Sequence, residues 1–226
     1  MLMTKHRVRI QFRKEGDLRM ISHRDLARLF ERLFRRVGVQ LGMSEGFHPK
    51  AKLSFPSALS LGIRGLDEIL DVEVAEEIVE EEFKARLESE APQGLVINSV
   101  RILAEGEKKA QPTRITYEIP IPDSKKSQVQ ESIQNLLAQS SFLIDREGRD
   151  EPVDVRADLA ELELSNSVVR FNLLVTRTAS VRPREVLAAL GLAELEDEGY
   201  YLTRTAVEIA PPKEQESTTH EKGNAD

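Results

Sequence analysis

Polar and hydrophobic residues alternate along residues 7–13, which is the period-two pattern of a strand with one buried face. Residues 22–37 then carry apolar side chains spaced three and four apart, so this stretch is predicted to be an amphipathic helix. Ser22 and Asp25 fit the capping box that begins such a helix. The apolar face of the helix consists of Leu26, Leu29, Phe30, Leu33, Phe34 and Val37.

The next stretches continue the alternation of strands and helices. Residues 52–61 are predicted to be extended, with an interruption at Pro56, and residues 69–74 alternate as a strand. A helix is predicted over residues 78–90 and a strand over residues 95–102. The order is therefore β-α-β-β-α-β, which is the order of a ferredoxin-like domain.

A polar linker at residues 105–112 separates this half of the chain from a second half, in which a similar order recurs with one extra strand. The elements predicted there are a strand at 115–121, a helix at 124–139, a short strand at 142–146, a hairpin of 153–164 and 168–176, a helix at 183–190 and a strand at 200–209. The sequence thus predicts an α+β fold of tandem ferredoxin-like domains with antiparallel sheets, covering residues 1–105 and 112–210. Residues 211–226 contain almost nothing apolar and are predicted to be a disordered tail.

Positive and negative charges are distributed unevenly along the chain, whose net charge is −7. Residues 1–56 carry 13 Lys and Arg against 5 Asp and Glu, whereas residues 57–110 carry 6 against 13 and residues 111–226 carry 13 against 21. A basic first quarter on an acidic body can attract a polyanion locally while the rest of the protein repels it.

The predicted first helix carries much of that positive charge on the side opposite its apolar face. Its arginines are Arg24, Arg28, Arg32 and Arg35. The only acidic residues within the predicted helix are Asp25 and Glu31. Such a row of arginines is either a solvated surface or a binding site for an anion such as phosphate, and both interpretations remain open at this point.

The loop that follows, residues 44–55, combines residue types that folding alone does not require. Gly46 can adopt backbone angles that other residues avoid, and Pro49 restricts the backbone around it, so the loop is predicted to have one shape. Its candidate ligand-binding or RNA-binding residues are Phe47, His48, Lys50 and Lys52. The alternative is a hairpin-like connection in which Phe47 fills the core and the lysines are merely solvated.

Several kinds of chemistry are excluded by composition. The chain has no cysteine, so disulfides, thiolate zinc sites and iron–sulfur clusters cannot form within it. Its four histidines, His6, His23, His48 and His220, are too scattered to indicate a metal site, and no cofactor-binding motif is present. No apolar run reaches the length of a membrane span, so the sequence favours a soluble cytoplasmic protein that does not contact a membrane.

Four short motifs in order resemble a known bacterial family. They are RKEGDLR at residues 13–19, ISHRDL at 21–26, SEGFHP at 44–49 and LSF at 53–55. In these motifs the chain resembles the radical-SAM-associated domain-of-unknown-function family 2344, whose members occur beside or fused to cobalamin-binding radical-SAM proteins. The resemblance covers roughly residues 5–190. Many members have Asn where this chain has His48, which favours ligand placement over proton transfer, and His-Pro where it has Lys50-Ala51.

The resemblance implies a radical-SAM partner and a role in the modification of RNA or of the ribosome. A radical-SAM centre needs three thiolates, so the catalytic cluster would belong to another chain. The first hypothesis is therefore a non-catalytic accessory protein that binds RNA or presents a substrate. The alternatives are a metal-independent endoribonuclease that uses His23 or His48 as acid or base, and a protein-interaction module that docks through its acidic faces.

Overall fold

Ten strands and five α-helices are found in the described part of the chain, residues 5–148, 150–176 and 181–211 of a computed structural model. The strands are β1 (His6–Lys14), β2 (Leu53–Ser54), β3 (Arg64–Val74), β4 (Leu95–Ile102), β5 (Pro112–Pro120), β6 (Leu143–Ile144), β7 (Val153–Asp154), β8 (Leu159–Ser165), β9 (Val168–Leu174) and β10 (Thr203–Ile209). The α-helices are α1 (His23–Arg36), α2 (Glu80–Glu90), α3 (Lys126–Ala138), α4 (Val155–Asp158) and α5 (Pro183–Ala189). None of these helices is long and apolar enough to cross a membrane.

Eight strands form one sheet in the order β4-β1-β3-β10-β5-β9-β8, with β2 paired to β3. Neighbouring strands are antiparallel except β3 and β10, which pair in parallel where Thr203 lies opposite Arg64 and Arg204 opposite Gly65. The fold is therefore α+β with a large, mostly antiparallel sheet. The expectation that each half would form its own sheet is wrong.

The two halves share a sheet because β3 is longer than its sequence pattern indicates. It begins at Arg64 rather than at residue 69, and β2 covers only Asp71 and Val72 near its other end. The first residues of β3 are thus left with an open edge, and unpaired backbone groups on such an edge attract another strand. Strand β10 occupies that edge and joins the halves.

Helix α1 begins where the sequence predicts, because the Ser22 Oγ accepts a hydrogen bond from the Asp25 backbone N–H at 3.2 Å. Its buried side chains are Leu26, Phe30, Leu33 and Phe34. They pack in one cluster with the alternate residues Val8, Ile10 and Phe12 of β1 and Leu70, Val72 and Val74 of β3. Since strand side chains alternate between faces, the residues between them, such as Arg9 and Asp71, lie on the other face of the sheet.

A second hydrophobic cluster is built mainly from α3, α5 and the strands β5, β8 and β9. It also includes Leu59, Ile63 and Ile69 from the first half of the chain and Ala110 from the segment between the halves. Apolar side chains from both halves are therefore buried together.

Other differences from the predicted elements are local. Residues 153–164 do not form one strand, because the Asp154 carboxylate accepts hydrogen bonds from the backbone N–H groups of Phe142 and Arg156, both at 2.9 Å, and starts the one-turn helix α4. Within residues 52–61, only Leu53–Ser54 forms a strand. The predicted tail, apart from its first residue, lies outside the described residues.

Candidate functional site

The loop after α1 is closed by a short hairpin stem. Met43 and Ala51 form an antiparallel bridge, and the Ser44 backbone N–H donates to the Lys50 carbonyl at 2.8 Å. In return, the Lys50 backbone N–H donates to the Ser44 Oγ at 3.0 Å. Gly46 has φ 119°, a left-handed conformation that only glycine adopts without strain. The stem and this glycine together position the five residues at the loop tip.

The side chains at the loop tip point into solvent. Phe47 is fully exposed, so the alternative in which it fills the core is wrong. His48 and Pro49 are exposed as well. An exposed phenyl ring does not contribute to the core, and its flat face is available to a ligand.

A cleft of about 650 Å³ lies between the stem of this loop and α1, and is called the α1 cleft below. Three of the four predicted arginines, Arg24, Arg28 and Arg35, line it together with Lys50. Glu31 also lines it and is the only acidic side chain to do so among the described residues. The structure thus brings the arginine row and the base of the loop into one site with an excess of positive charge.

The cations of the α1 cleft are mostly unpaired. Arg28 lies 3.4 Å from the Asp25 carboxylate, but both side chains are more than half exposed, so this ion pair is weak. In the described part of the chain, no carboxylate lies within 4.0 Å of the charged groups of Arg24, Arg35 or Lys50. The hydrogen bond from the Ser22 hydroxyl is the main cause that holds the pKa of Asp25 below its usual value, so that this carboxyl stays ionised.

Two predicted site residues lie elsewhere. Arg32 is on another side of α1, where it lines a depression of about 130 Å³ with Arg36 and Glu90. Lys52 lies past the stem, where its Nζ donates to the Glu73 carboxylate at 3.1 Å. Arg32 is therefore separated from the α1 cleft, and Lys52 is already paired.

The two histidines of the nuclease hypothesis have different surroundings. The ring of His23 contacts the ring of Phe55 edge to face, with the centroids 5.1 Å apart. His48 lies at the loop tip. Neither side chain is among the described residues that line the α1 cleft.

Sequence reasoning missed the ionic groups on the face of the sheet opposite α1, where Arg9 and Asp71 are buried. The Arg9 guanidinium donates to both oxygens of Asp71, at 2.7 and 3.0 Å, and the Asp71 carboxylate also accepts from the Ala110 backbone N–H at 3.0 Å. Arg101 makes two hydrogen bonds to Glu107, at 2.7 and 2.9 Å. The polar segment between the halves is therefore tied to the sheet. The available signal is the alternation of Arg7, Arg9 and Arg13 along β1, but alternation alone does not show which partners these arginines have.

No group of three or more His, Asp or Glu side chains within residues 5–148, 150–176 and 181–211 is arranged to hold a metal ion. The α1 cleft offers three guanidinium groups and an ammonium group, and the exposed ring of Phe47 lies at the tip of the loop whose stem lines the cleft. Guanidinium groups form paired hydrogen bonds with phosphate, and an aromatic face stacks on a nucleobase. These groups suit a phosphate-bearing ligand.

The fold and this site define an α+β protein with a basic surface cleft. Residues 7–183 match the family described as "Uncharacterized protein conserved in bacteria (DUF2344)", and the chain belongs to that family. No curated protein matches it.

Among solved structures, the chain is similar to "Crystal Structure of an Unknown Protein from Galdieria sulphuraria", at 13% identity and a TM-score of 0.26, over 92% of this chain and 100% of that one. It is also similar to "Crystal structure of putative glycine cleavage system transcriptional repressor", at 8% identity and a TM-score of 0.24, over 91% of this chain and 98% of that one. At these TM-scores the two similarities carry no structural or functional argument.

Proposed function

We propose that this protein is a non-catalytic accessory protein that binds RNA in the α1 cleft and presents it to a radical-SAM modification enzyme. The observation that carries the proposal is the convergence of Arg24, Arg28, Arg35 and Lys50 on one cleft. The fully exposed ring of Phe47 lies at the tip of the loop whose stem forms one wall of that cleft. Cations provide affinity for the backbone phosphates, and the ring provides a stacking surface for an unpaired base.

The geometry favours single-stranded or loop RNA over a regular duplex. Stacking on an aromatic side chain requires a base that is not already stacked between its neighbours, and such bases occur in loops, bulges and ends. Phosphate contacts from Arg and Lys carry little sequence information by themselves. We therefore expect binding that depends strongly on salt and weakly on sequence.

The test compares two double variants of the same helix. Arg28→Ala with Arg35→Ala removes two cations from the α1 cleft, and Arg32→Ala with Arg36→Ala removes two from outside it. Anisotropy titrations of labelled single-stranded RNA over a salt series should show that the first variant flattens the log–log salt slope by roughly 1.4, since each phosphate contact on a single strand contributes about 0.7. The control variant should leave the slope near that of the unmodified protein.

Both variants should keep the melting temperature, because all four side chains are exposed. Equal losses in the two variants would mean that the charge of the helix as a whole, and not the cleft, attracts RNA. If no RNA bound even at low salt, the protein-interaction alternative would replace the proposal.

The catalytic partner enters the proposal through the family resemblance and the composition. A radical-SAM cluster needs three cysteine thiolates and this chain has no cysteine, so the modification chemistry would be carried out by a separate protein in the bacterial cytoplasm. Co-purification of a radical-SAM protein with this chain would support the pairing. RNA incubated with the purified chain should remain intact, and specific cuts that disappear in His48→Ala or His23→Ala would overturn the non-catalytic role.

We further propose that each half of the chain is a ferredoxin-like unit. In the first half, the strands lie side by side as β4-β1-β3-β2, so that when they are numbered along the chain their order is four-one-three-two, the order of a ferredoxin-like sheet. In the second half, β10-β5-β9-β8 gives the same order when β6 and β7 are treated as an insertion. An experimental structure in which either half lacked this order would contradict the assignment.

A further inference from the structure

Two further depressions follow the α1 cleft, and each shares a lysine with the depression before it. Lys50 lines both the α1 cleft and a cavity of about 550 Å³ beside β2 and β3. Lys109 lines both that cavity and a third one of about 380 Å³, formed by the segment between the halves and the end of β10. The three depressions therefore lie side by side in a row, and this row is called the basic path below.

The basic path turns around the edge of the sheet. Helix α1 packs on the face formed by Val72 and Val74, whereas Asp71 and Glu73, which line the middle cavity, lie on the opposite face. Strand β2 pairs only with Asp71 and Val72 of β3, so this edge of the sheet is short where the basic path passes around it. A ligand that follows the path must therefore bend from one face of the sheet to the other.

Unpaired lysines are concentrated on this path. Among the described residues, the lysines that have a carboxylate within 4.0 Å are Lys5, Lys52, Lys84, Lys125 and Lys126. The exposed lysines of the same residues that have none are Lys50, Lys108 and Lys109. All three line the basic path.

In the two depressions beyond the α1 cleft, the carboxylates that line the path are already paired with neighbouring cations. Asp71 is held by Arg9, and Glu73 accepts from Lys52 at 3.1 Å. The hydrogen bond from Arg101 keeps the pKa of the Glu107 carboxyl below its usual value, so this group stays charged and paired. The net charge that these two depressions offer a ligand is therefore that of the unpaired lysines.

We infer that the basic path is an extended groove for single-stranded RNA, in which Lys108 and Lys109 hold backbone phosphates beyond the α1 cleft. The inference rests on the proposed function and adds a second contact region to it. A lysine ammonium is a point charge that suits a phosphate at a variable angle. A duplex, whose persistence length is about 150 base pairs for DNA, is too stiff to turn around a sheet edge, whereas a single strand can follow it.

The test uses single-stranded RNA of two lengths, about 4 and about 16 nucleotides, which span the site sizes common for single-strand binders. We expect the longer strand to bind with a steeper salt slope, because it reaches more cations. Lys108→Ala with Lys109→Ala should flatten the slope of the longer strand by roughly 1.4 and leave the shorter strand unchanged. Lys125→Ala with Lys126→Ala, which removes the same charge from the second half outside the path, should change neither.

Failure of the inference can be told apart from failure of the proposed function. Equal slopes for both lengths, equal effects of the two lysine pairs, or duplex RNA that binds as tightly as the single strand would overturn the extended groove. The proposed function would survive those results if the short strand still depended on Arg28 and Arg35. If neither length bound at low salt, the proposed function would fail as well.

Discussion

At the scale of single residues, Phe47 is the most exposed large hydrophobic side chain of the described residues. Its ring is fully exposed, although the hydrogen bonds between Ser44 and Lys50 hold the stem of its loop in place. Apolar rings are normally buried because removing their surface from water is favourable. An exposed ring on a constrained loop is better explained by an external partner than by stability.

Replacement of this ring gives a direct prediction. Phe47→Ala should weaken binding of single-stranded RNA by about 1–3 kcal/mol, which is the usual contribution of base stacking on an aromatic side chain. The melting temperature should not fall, since the ring makes no buried contact. Competition titrations measure the first quantity and thermal unfolding measures the second.

Phe47→Trp is the matched variant, because a larger ring preserves the stacking surface. It should retain the affinity that Phe47→Ala loses. If the alanine variant bound RNA as well as the unmodified protein, Phe47 would have no part in the site.

At the scale of elements, α1 both contributes to the core and carries the candidate site. Its buried side chains, such as Phe30 and Phe34, set the rotation of the helix against the sheet, and this rotation turns Arg24, Arg28 and Arg35 toward the loop. Because a residue four positions along a helix is displaced by about 40°, the row of arginines drifts around the axis and Arg32 falls outside the cleft. Because α1 carries three of the cleft arginines, the Ser22 cap that begins this helix also helps to hold the site in place.

Loss of this cap should destabilise the protein moderately. Ser22→Ala removes the acceptor for the Asp25 backbone N–H and should lower the free energy of unfolding by about 1 kcal/mol. It should also raise the pKa of Asp25 toward its ordinary value of 3.8, because the Ser22 hydroxyl is the main cause of the lowered value. Chemical denaturation and a carboxyl NMR titration measure the two effects.

The sign of the pH dependence follows from the direction of that shift. A carboxyl whose pKa is lower in the folded state stabilises the fold above its unfolded pKa, and this contribution is lost as the pH falls through the folded value.

Ser89→Ala is the control for Ser22→Ala, since the Ser89 hydroxyl donates to the Arg86 carbonyl near the end of α2 and caps no helix start. An unchanged Asp25 pKa in Ser22→Ala would contradict the assignment of the cause.

At the scale of the whole molecule, a buried ion pair lies where the two halves join. The Arg204 Nε donates to the Glu68 carboxylate at 2.7 Å, and the Arg204 Nη1 donates to the Ser57 Oγ at 2.9 Å. Arg204 is 1% exposed and Glu68 is 3% exposed. Burial disfavours the charged guanidinium, but the Glu68 carboxylate more than offsets this, so the pKa of Arg204 lies above its usual value.

Breaking this pair should be costly. Glu68→Gln leaves the Arg204 guanidinium buried without a carboxylate, and loss of one partner of a buried pair typically destabilises by about 3–5 kcal/mol. Burial lowers the pKa of the neighbouring Lys14, whose Nζ donates to the Ile21 carbonyl at 2.9 Å, and a lysine cannot replace the negative charge that the variant removes. The free energy of unfolding in denaturant measures the effect.

Glu163→Gln is the matched control for this prediction. Glu163 is exposed and lies 3.7 Å from Arg170, so its replacement should change stability by less than about 0.5 kcal/mol. If Glu68→Gln cost no more than Glu163→Gln, the buried pair would not hold β3 and β10 together.

The sequence by itself determined most of the elements and the family, because both depend on local patterns. The period-two strands and the capped helix over residues 22–37 follow from side chains near one another in the chain, and the motifs at residues 13–19 and 44–49 were enough to indicate the family. Tertiary structure decided what depends on distant residues. The single sheet comes from the pairing of β3 with β10. The packing of α1 places Arg35 in the α1 cleft and leaves Arg32 outside it. The unpaired state of Lys108 and Lys109 follows from where the segment between the halves lies. These features are contacts between residues far apart in the chain, which periodicity and composition do not encode.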